Sequence, residues 1–203
     1  ERGVILDLQS PIQRLLTGDP NIPAFEKVIT QLETDAPAQL EAPKTNVRQA
    51  SFAVDGVPFQ ARVETYAQQK TGELHMDVTV QTTVPAILGD LRLSEQGWGE
   101  SFLVLLRLSQ DIKVGSFSFD ETFVIKGVEE TAPLILTEDV QKAILVIAGE
   151  DVPRLKVNRG LAMLLWHYEP NARCLNAAIE ALKGIRNADV AGILRSKDEP
   201  SSH

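Results

Sequence analysis

This chain is poor in cysteine, histidine, aromatic side chains and positive charge, and each shortage excludes something. Of its 203 residues one is cysteine and three are histidine, and aromatics make up 5%. With Cys174 alone no internal disulfide can form, so a reducing compartment, the cytoplasm, is the expected location. Cys174 lies in an apolar helical stretch and reads as a small buried hydrophobe rather than a partner for another chain's thiol. Lys and Arg number 20 against 28 Asp and Glu, a formal net charge of −8. Nucleic-acid binding calls for a basic footprint, and so does an anionic membrane surface. Neither partner is expected. No apolar run approaches the ~20 residues of a spanning helix, and no signal peptide is visible. The first residue is Glu1 rather than Met, which reads as a piece of a longer protein whose preceding part could hold either. Phosphate-cradling G-x-x-x-x-G-K-[ST] and G-x-G-x-x-G loops are missing. So are the G-x-S-x-G nucleophile elbow and a twelve-residue calcium loop. There is no internal repeat and no low-complexity tract.

What remains is an ordinary globular composition, 43% hydrophobic and 24% charged. Its length buries a core without staples. Residues 1–20 read as a short extended piece and a helical turn. A helix is expected over residues 22–33, with Asn21 as cap, Pro23 in the first turn and Phe25, Val28, Ile29 and Leu32 as its stripe. Residues 34–45, with two prolines and three alanines, read as a linker.

From Arg48 the apolar period becomes two. Asp55-Gly56 is a two-residue hairpin signal, because that turn needs positive φ at both central residues. It pairs Val54 with Val57 and Phe52 with Phe59 on one face. Leu74, Met76, Val78 and Val80 form the next apolar row. A loop at residues 68–71 predicts Val63 opposite Met76 and Ala61 opposite Val78. It sets Arg62 against Asp77 and Glu64 against His75 on the solvent face. Further strands are expected at 88–93, at 102–108 (nearly all apolar, hence central) and at 122–126. Gly97-Trp98-Gly99 is a turn between the first two. A helix over 138–148 has Thr137 as cap, Glu138 and Asp139 at its positive end, and Gly149 as its stop. Strands at 154–157 and 161–168 flank the turn Asn158-Arg159-Gly160. A closing helix over 171–186 buries Leu175, Ala178, Ile179, Leu182 and Ile185. A further turn is placed at 190–194, and residues 197–203 are expected to fray. The pattern is α+β: a mainly antiparallel sheet, with an N-terminal three-stranded meander, and helices packed on one face. Residues 1–45 are a helical segment and linker, 46–188 the α+β domain, and 189–203 a C-terminal tail.

Residues 111–127 hold Asp111-Ile112, Gly115, Phe119-Asp120-Glu121 and Phe123-Val124-Ile125-Lys126-Gly127. They read as a strand, a sharp corner and a buried strand. This run resembles a family of uncharacterised bacterial domains whose pattern is Asp-Ile, Gly, Phe-Asp-Glu, then Phe-x-Val/Ile-x-Gly. In that family a helix beginning Leu-Thr, a short hairpin and a closing helix follow. Leu136-Thr137, the hairpin over 155–166 and the helix from Asn171 keep that order, so the likeness covers about residues 57–188. The resemblance implies a fold and no assigned activity. Membrane helices often precede such domains, which implies tethering through a segment outside this chain.

The chemistry-bearing residues have plain structural readings. Asp120 is expected to bond turn N–H groups, as Asp does in Asx-turns, with Glu121 solvated. Glu129, Glu130, Glu138 and Asp139 read as solvated turn and helix-start charges rather than oxygen ligands for a cation. His75 falls on a polar strand face, and His203 is terminal. His167 and Cys174 could suggest a thiol with its base, but no orienting acid is evident. Trp166 reads as packing between hairpin and last helix. No residue is assigned to catalysis, a cofactor or a metal. Two readings follow. The first is a non-catalytic protein-interaction or structural module of a larger bacterial assembly, with Trp98 and Phe117 as its partner surface. The second is a hydrolase or ligand-binding protein whose site is assembled from distant residues and marked by two or more carboxylates, or His167, in a pocket. A weaker option is a carrier of an apolar small molecule between sheet and helices.

Overall fold

The computed structural model describes residues 29, 39–40, 46–67, 74–96, 112–167 and 171–198. In chain order the strands are β1 (Gln39–Leu40), β2 (Val47–Val54), β3 (Val57–Ala67), β4 (Leu74–Thr83), β5 (Leu91–Glu95), β6 (Phe123–Gly127), β7 (Arg154–Asn158) and β8 (Leu161–Trp166). The helices are α1 (Phe117–Thr122), α2 (Ala132–Ile135), α3 (Glu138–Ala148), α4 (Ala172–Arg186) and α5 (Val190–Asp198), with a 3-10 turn at Ala86–Leu88.

Local turn chemistry builds the hairpins. Asp55 and Gly56 both take positive φ, 52° and 73°, so the chain reverses in two residues. Val54 then faces Val57 and Phe52 faces Phe59, whose rings stack at 5.8 Å. Arg159 and Gly160 repeat the device, with φ of 49° and 78°, between β7 and β8. The eight strands form one sheet in the order β1-β2-β3-β4-β8-β7-β5-β6, and all neighbours run antiparallel. The β7–β8 hairpin inserts between β4 and β5, which joins the meander to the β5–β6 pair.

Because side chains alternate along a strand, one face collects Phe59, Ala61, Val63, Val78, Val80, Leu155, Val157, Ala162, Leu164 and Trp166, all buried. α4 lies against β4 and β8 on this inner face, and α3 packs on α4. Val140, Ile144 and Ile147 of α3 and Leu175, Ala178, Ile179, Leu182 and Ile185 of α4 complete the core. Gln141, also buried, is satisfied by donating to the Leu136 carbonyl at 2.7 Å. The α+β class, the antiparallel meander and the one-sided helix layer are as expected.

Several expectations are corrected. β3 and β4 pair Val63 with Val78 and Ala61 with Val80, two residues away from the predicted register. Arg62 therefore faces Thr79, and Glu64 faces Asp77. The strand expected over 88–93 starts later, at Leu91, after the 3-10 turn. Phe119-Asp120-Glu121 lies inside α1 rather than at a bare corner. Asp120 does bond backbone N–H groups: Val114 donates to Oδ1 and Gly115 to Oδ2, each at 3.0 Å. Thr137 precedes α3 without a side-chain cap bond, and Gly149 ends it in a right-handed conformation. The stretch read as a linker carries β1, which pairs with Ser51 and Ala50, and the C-terminal tail carries α5. Ile29 is fully buried. The rest of the predicted first helix, the strand over 102–108 and Gly97-Trp98-Gly99 lie outside the described residues.

Candidate functional site

The outer face of the sheet holds the chemistry. Alternation turns Gln60, Arg62, Glu64 and Tyr66 of β3, and His75, Asp77, Thr79 and Gln81 of β4, away from the helices. β8 adds Leu161, Met163, Leu165 and, just past its end, His167. A hollow of about 270 Å³ opens here, lined by Gln49, Gln60, Arg62, Glu64, Asp77, Thr79, Gln81, Met163 and Leu165. Gln81 donates to the Gln60 side-chain oxygen at 2.6 Å, which braces its floor.

Two carboxylates meet at one end. Glu64 lies directly opposite Asp77, an arrangement that destabilises a sheet unless other charges relieve it. Both are relieved by neighbours. The Arg62 guanidinium donates to Glu64 from two residues along the same strand. His167 Nδ1 lies 2.6 Å from Asp77 Oδ1. The His167 backbone N–H also donates to Asp151 Oδ2 at 2.6 Å, which holds the residue in place as it leaves β8. A carboxylate oxygen accepts only, so a proton on His167 Nδ1 makes this bond. Tyr66 stacks on His75 at 5.8 Å. The phenol is pushed above its ordinary pKa, first by partial burial and then by the Asp77 carboxylate. His75 Nε2 is buried and makes no hydrogen bond among the described residues.

The geometry supplies an oriented imidazole and its carboxylate, two members of a triad, and among the described residues no serine or cysteine lines the hollow. Cys174, the one thiol, is fully buried in the first turn of α4, where its backbone N–H donates to Asn171. Burial pushes that thiol above its ordinary pKa, the opposite of an activated nucleophile. Among the described residues no cluster of three or more His, Cys, Asp or Glu is placed to hold a metal ion, and no helix is long and apolar enough to cross a membrane.

Phe117 stands at the start of α1 with 79% of its surface exposed. Trp98 lies outside the described residues. Trp166 is fully buried opposite Val78. Glu121, Glu129, Glu130, Glu138 and Asp139 are exposed. Sequence reasoning missed the His167–Asp77 contact, since the two residues are 90 apart and meet only because β8 pairs with β4. The signal available was β8 itself, Leu-Ala-Met-Leu-Leu-Trp, which carries apolar residues on both faces. No family model and no curated protein matches the chain.

Proposed function

We propose that this domain is a non-catalytic module that binds a partner protein through the outer face of its sheet. One observation carries the reading. The outward residues of β8, Leu161, Met163 and Leu165, are apolar on the face opposite α3 and α4, and Leu161 is 38% exposed. Met163 and Leu165 take no part in the core cluster. Outward positions of a sheet with one solvated face are ordinarily polar. An apolar strand flanked by polar ones suits a surface that another molecule covers. The test is affinity capture from the native source with the tagged wild-type domain and with Leu165→Glu. A stoichiometric protein retained by the wild type and lost by the variant supports the reading. If the wild type retrieves none, the reading is wrong.

The Glu64–Asp77 pair supports a second reading, a small polar ligand held in the hollow, with the two carboxylates and Arg62 among its contacts. Here a thermal-shift screen of polyols, amines and amino acids is decisive. A ligand that raises the melting temperature of the wild type, but not of Glu64→Gln or Asp77→Asn, supports it. A ligand that stabilises all three equally, or no stabilising ligand at all, counts against it.

A further inference from the structure

We infer that the outer face docks an acidic amphipathic helix of the partner protein, its apolar stripe along β8 and its carboxylates over β7 and β5. This rests on the protein-binding reading above and names the chemistry of the partner. The register places Lys126 opposite Arg92, and Arg92 opposite Lys156. Three cations thus stand side by side on adjacent strands, about 4.8 Å from one to the next. Arg154 precedes Lys156 by two residues on β7, on the same face. Like charges directly opposite destabilise a sheet, and this chain carries eight more acids than bases (28 against 20). Acids are plentiful, yet Arg92, Arg154 and Lys156 are exposed and form no ion pair among the described residues. Arg92, Arg154 and Lys156, without an ion pair among the described residues of an acidic chain, offer charge complementarity to an anionic partner.

The neighbouring strand says what else that partner carries. Met163 is opposite Lys156, and Leu165 is opposite Arg154. An apolar row therefore runs beside the basic one. From Leu161 to Leu165 it spans about 13 Å at 3.3 Å per residue. A helix covers that distance in about nine residues, enough for apolar side chains at i, i+3, i+4 and i+7 with acidic ones on a single flank. An extended peptide would instead add to a sheet edge.

The other anions fit less well. A free phosphate finds no enclosing wall, because the lining of the hollow stops at Met163 and Leu165 and includes neither Arg92 nor Lys156. Nucleic acid and anionic membranes extend beyond the strip and meet the acidic remainder of the chain within a Debye length of about 8 Å. A short helix meets only the strip.

The test uses the full chain with Met163 replaced by p-benzoylphenylalanine, photolysed during capture from the native source, with the cross-linked segment sequenced. The expected segment is helical in pattern, with an apolar stripe and at least three Asp or Glu on one flank. Arg92→Glu with Lys156→Glu should cut capture at least tenfold, while Lys142→Glu on α3 leaves it unchanged. Cross-links to a segment without that acidic flank, or to another part of this chain, overturn the inference, and so does capture that survives the double reversal. In those cases protein binding itself stands. Flotation with phosphatidylserine vesicles that is lost on the double reversal, with no protein cross-link, also overturns it and assigns the strip to lipid. If the wild type captures nothing, both this inference and the reading beneath it fall.

Discussion

Gly184 of α4 packs against Val140 of α3, and Gly184→Ala sets two effects against each other. Alanine in place of glycine inside a helix gains about 1 kcal/mol from backbone entropy. The new Cβ, however, would stand 2.5 Å from Val140 Cγ2, where carbon atoms rest at about 3.5–4.0 Å. Val140 cannot turn away. It is 1% exposed, and a valine in a helix holds one χ1 rotamer. The helices must therefore separate by about 1 Å, and the contacts between α3 and α4 loosen along their length. Overpacking of this kind costs about 1–3 kcal/mol. The clash wins over propensity, and a net loss of about 1 kcal/mol is expected, a fall of about 2–4 °C in melting temperature for a chain of this size.

Val140→Ala removes the offending methyl. Alone it costs about 2 kcal/mol, from lost burial and the cavity left behind. Combined with Gly184→Ala it should cost much less than the sum, with a coupling of about 1–2 kcal/mol. Urea denaturation of the four proteins in the cycle measures this. A Gly184→Ala protein more stable than wild type refutes the packing argument, and so does a cycle additive to within about 0.5 kcal/mol.

Three further outcomes follow from named contacts. Asp120→Asn keeps one acceptor where two backbone N–H groups, of Val114 and Gly115, need one each. It should cost about 1–2 kcal/mol in urea unfolding, and an unchanged midpoint would show the turn to be indifferent to it. Lys183 Nζ lies 2.6 Å from Asp55 Oδ2, and this bond, followed by that to Glu180, raises the lysine above its ordinary pKa. A raised lysine stabilises the fold below its unfolded pKa, and the gain is lost as pH rises through the folded value. The stability gap between wild type and Lys183→Met should therefore be full at pH 8 and close above about pH 10.5; a gap that widens with alkali contradicts the pairing. Cys174 is held protonated by burial, so Ellman's reagent should label it at least 100-fold more slowly in the native protein than in urea at one pH. Comparable rates would place the thiol at the surface.

How much of this was legible in the sequence differs between the two faces of the sheet. The inner face was read well, because it obeys local rules. Asp55-Gly56 demanded its turn, the period-two rows of β3 and β4 chose their inner side, and the five residues expected in the stripe of α4 are all buried. The register between β3 and β4 was not legible. A slip of one residue would have turned every apolar side chain outward, but a slip of two changes no facing at all. Val63 meets an inward apolar residue whether it pairs with Met76 or Val78. Charge was the remaining guide, and it pointed the wrong way: Arg62 against Asp77 looked favourable, while the fold opposes Glu64 to Asp77.

That failure marks the candidate site. A like-charge pair persists in a sheet only when something outside the pair relieves it. Here Arg62 serves Glu64, and His167 serves Asp77 from a strand that reaches β4 only after the β7–β8 hairpin has inserted beside it. The relief of Asp77 is non-local, so no window of sequence around residues 60–80 could contain it. The Lys126–Arg92–Lys156 row is likewise assembled from three segments, each unremarkable alone. Positions where local consistency breaks are where function is expected, and in this protein both breaks lie on the outer face, beside the same apolar strand.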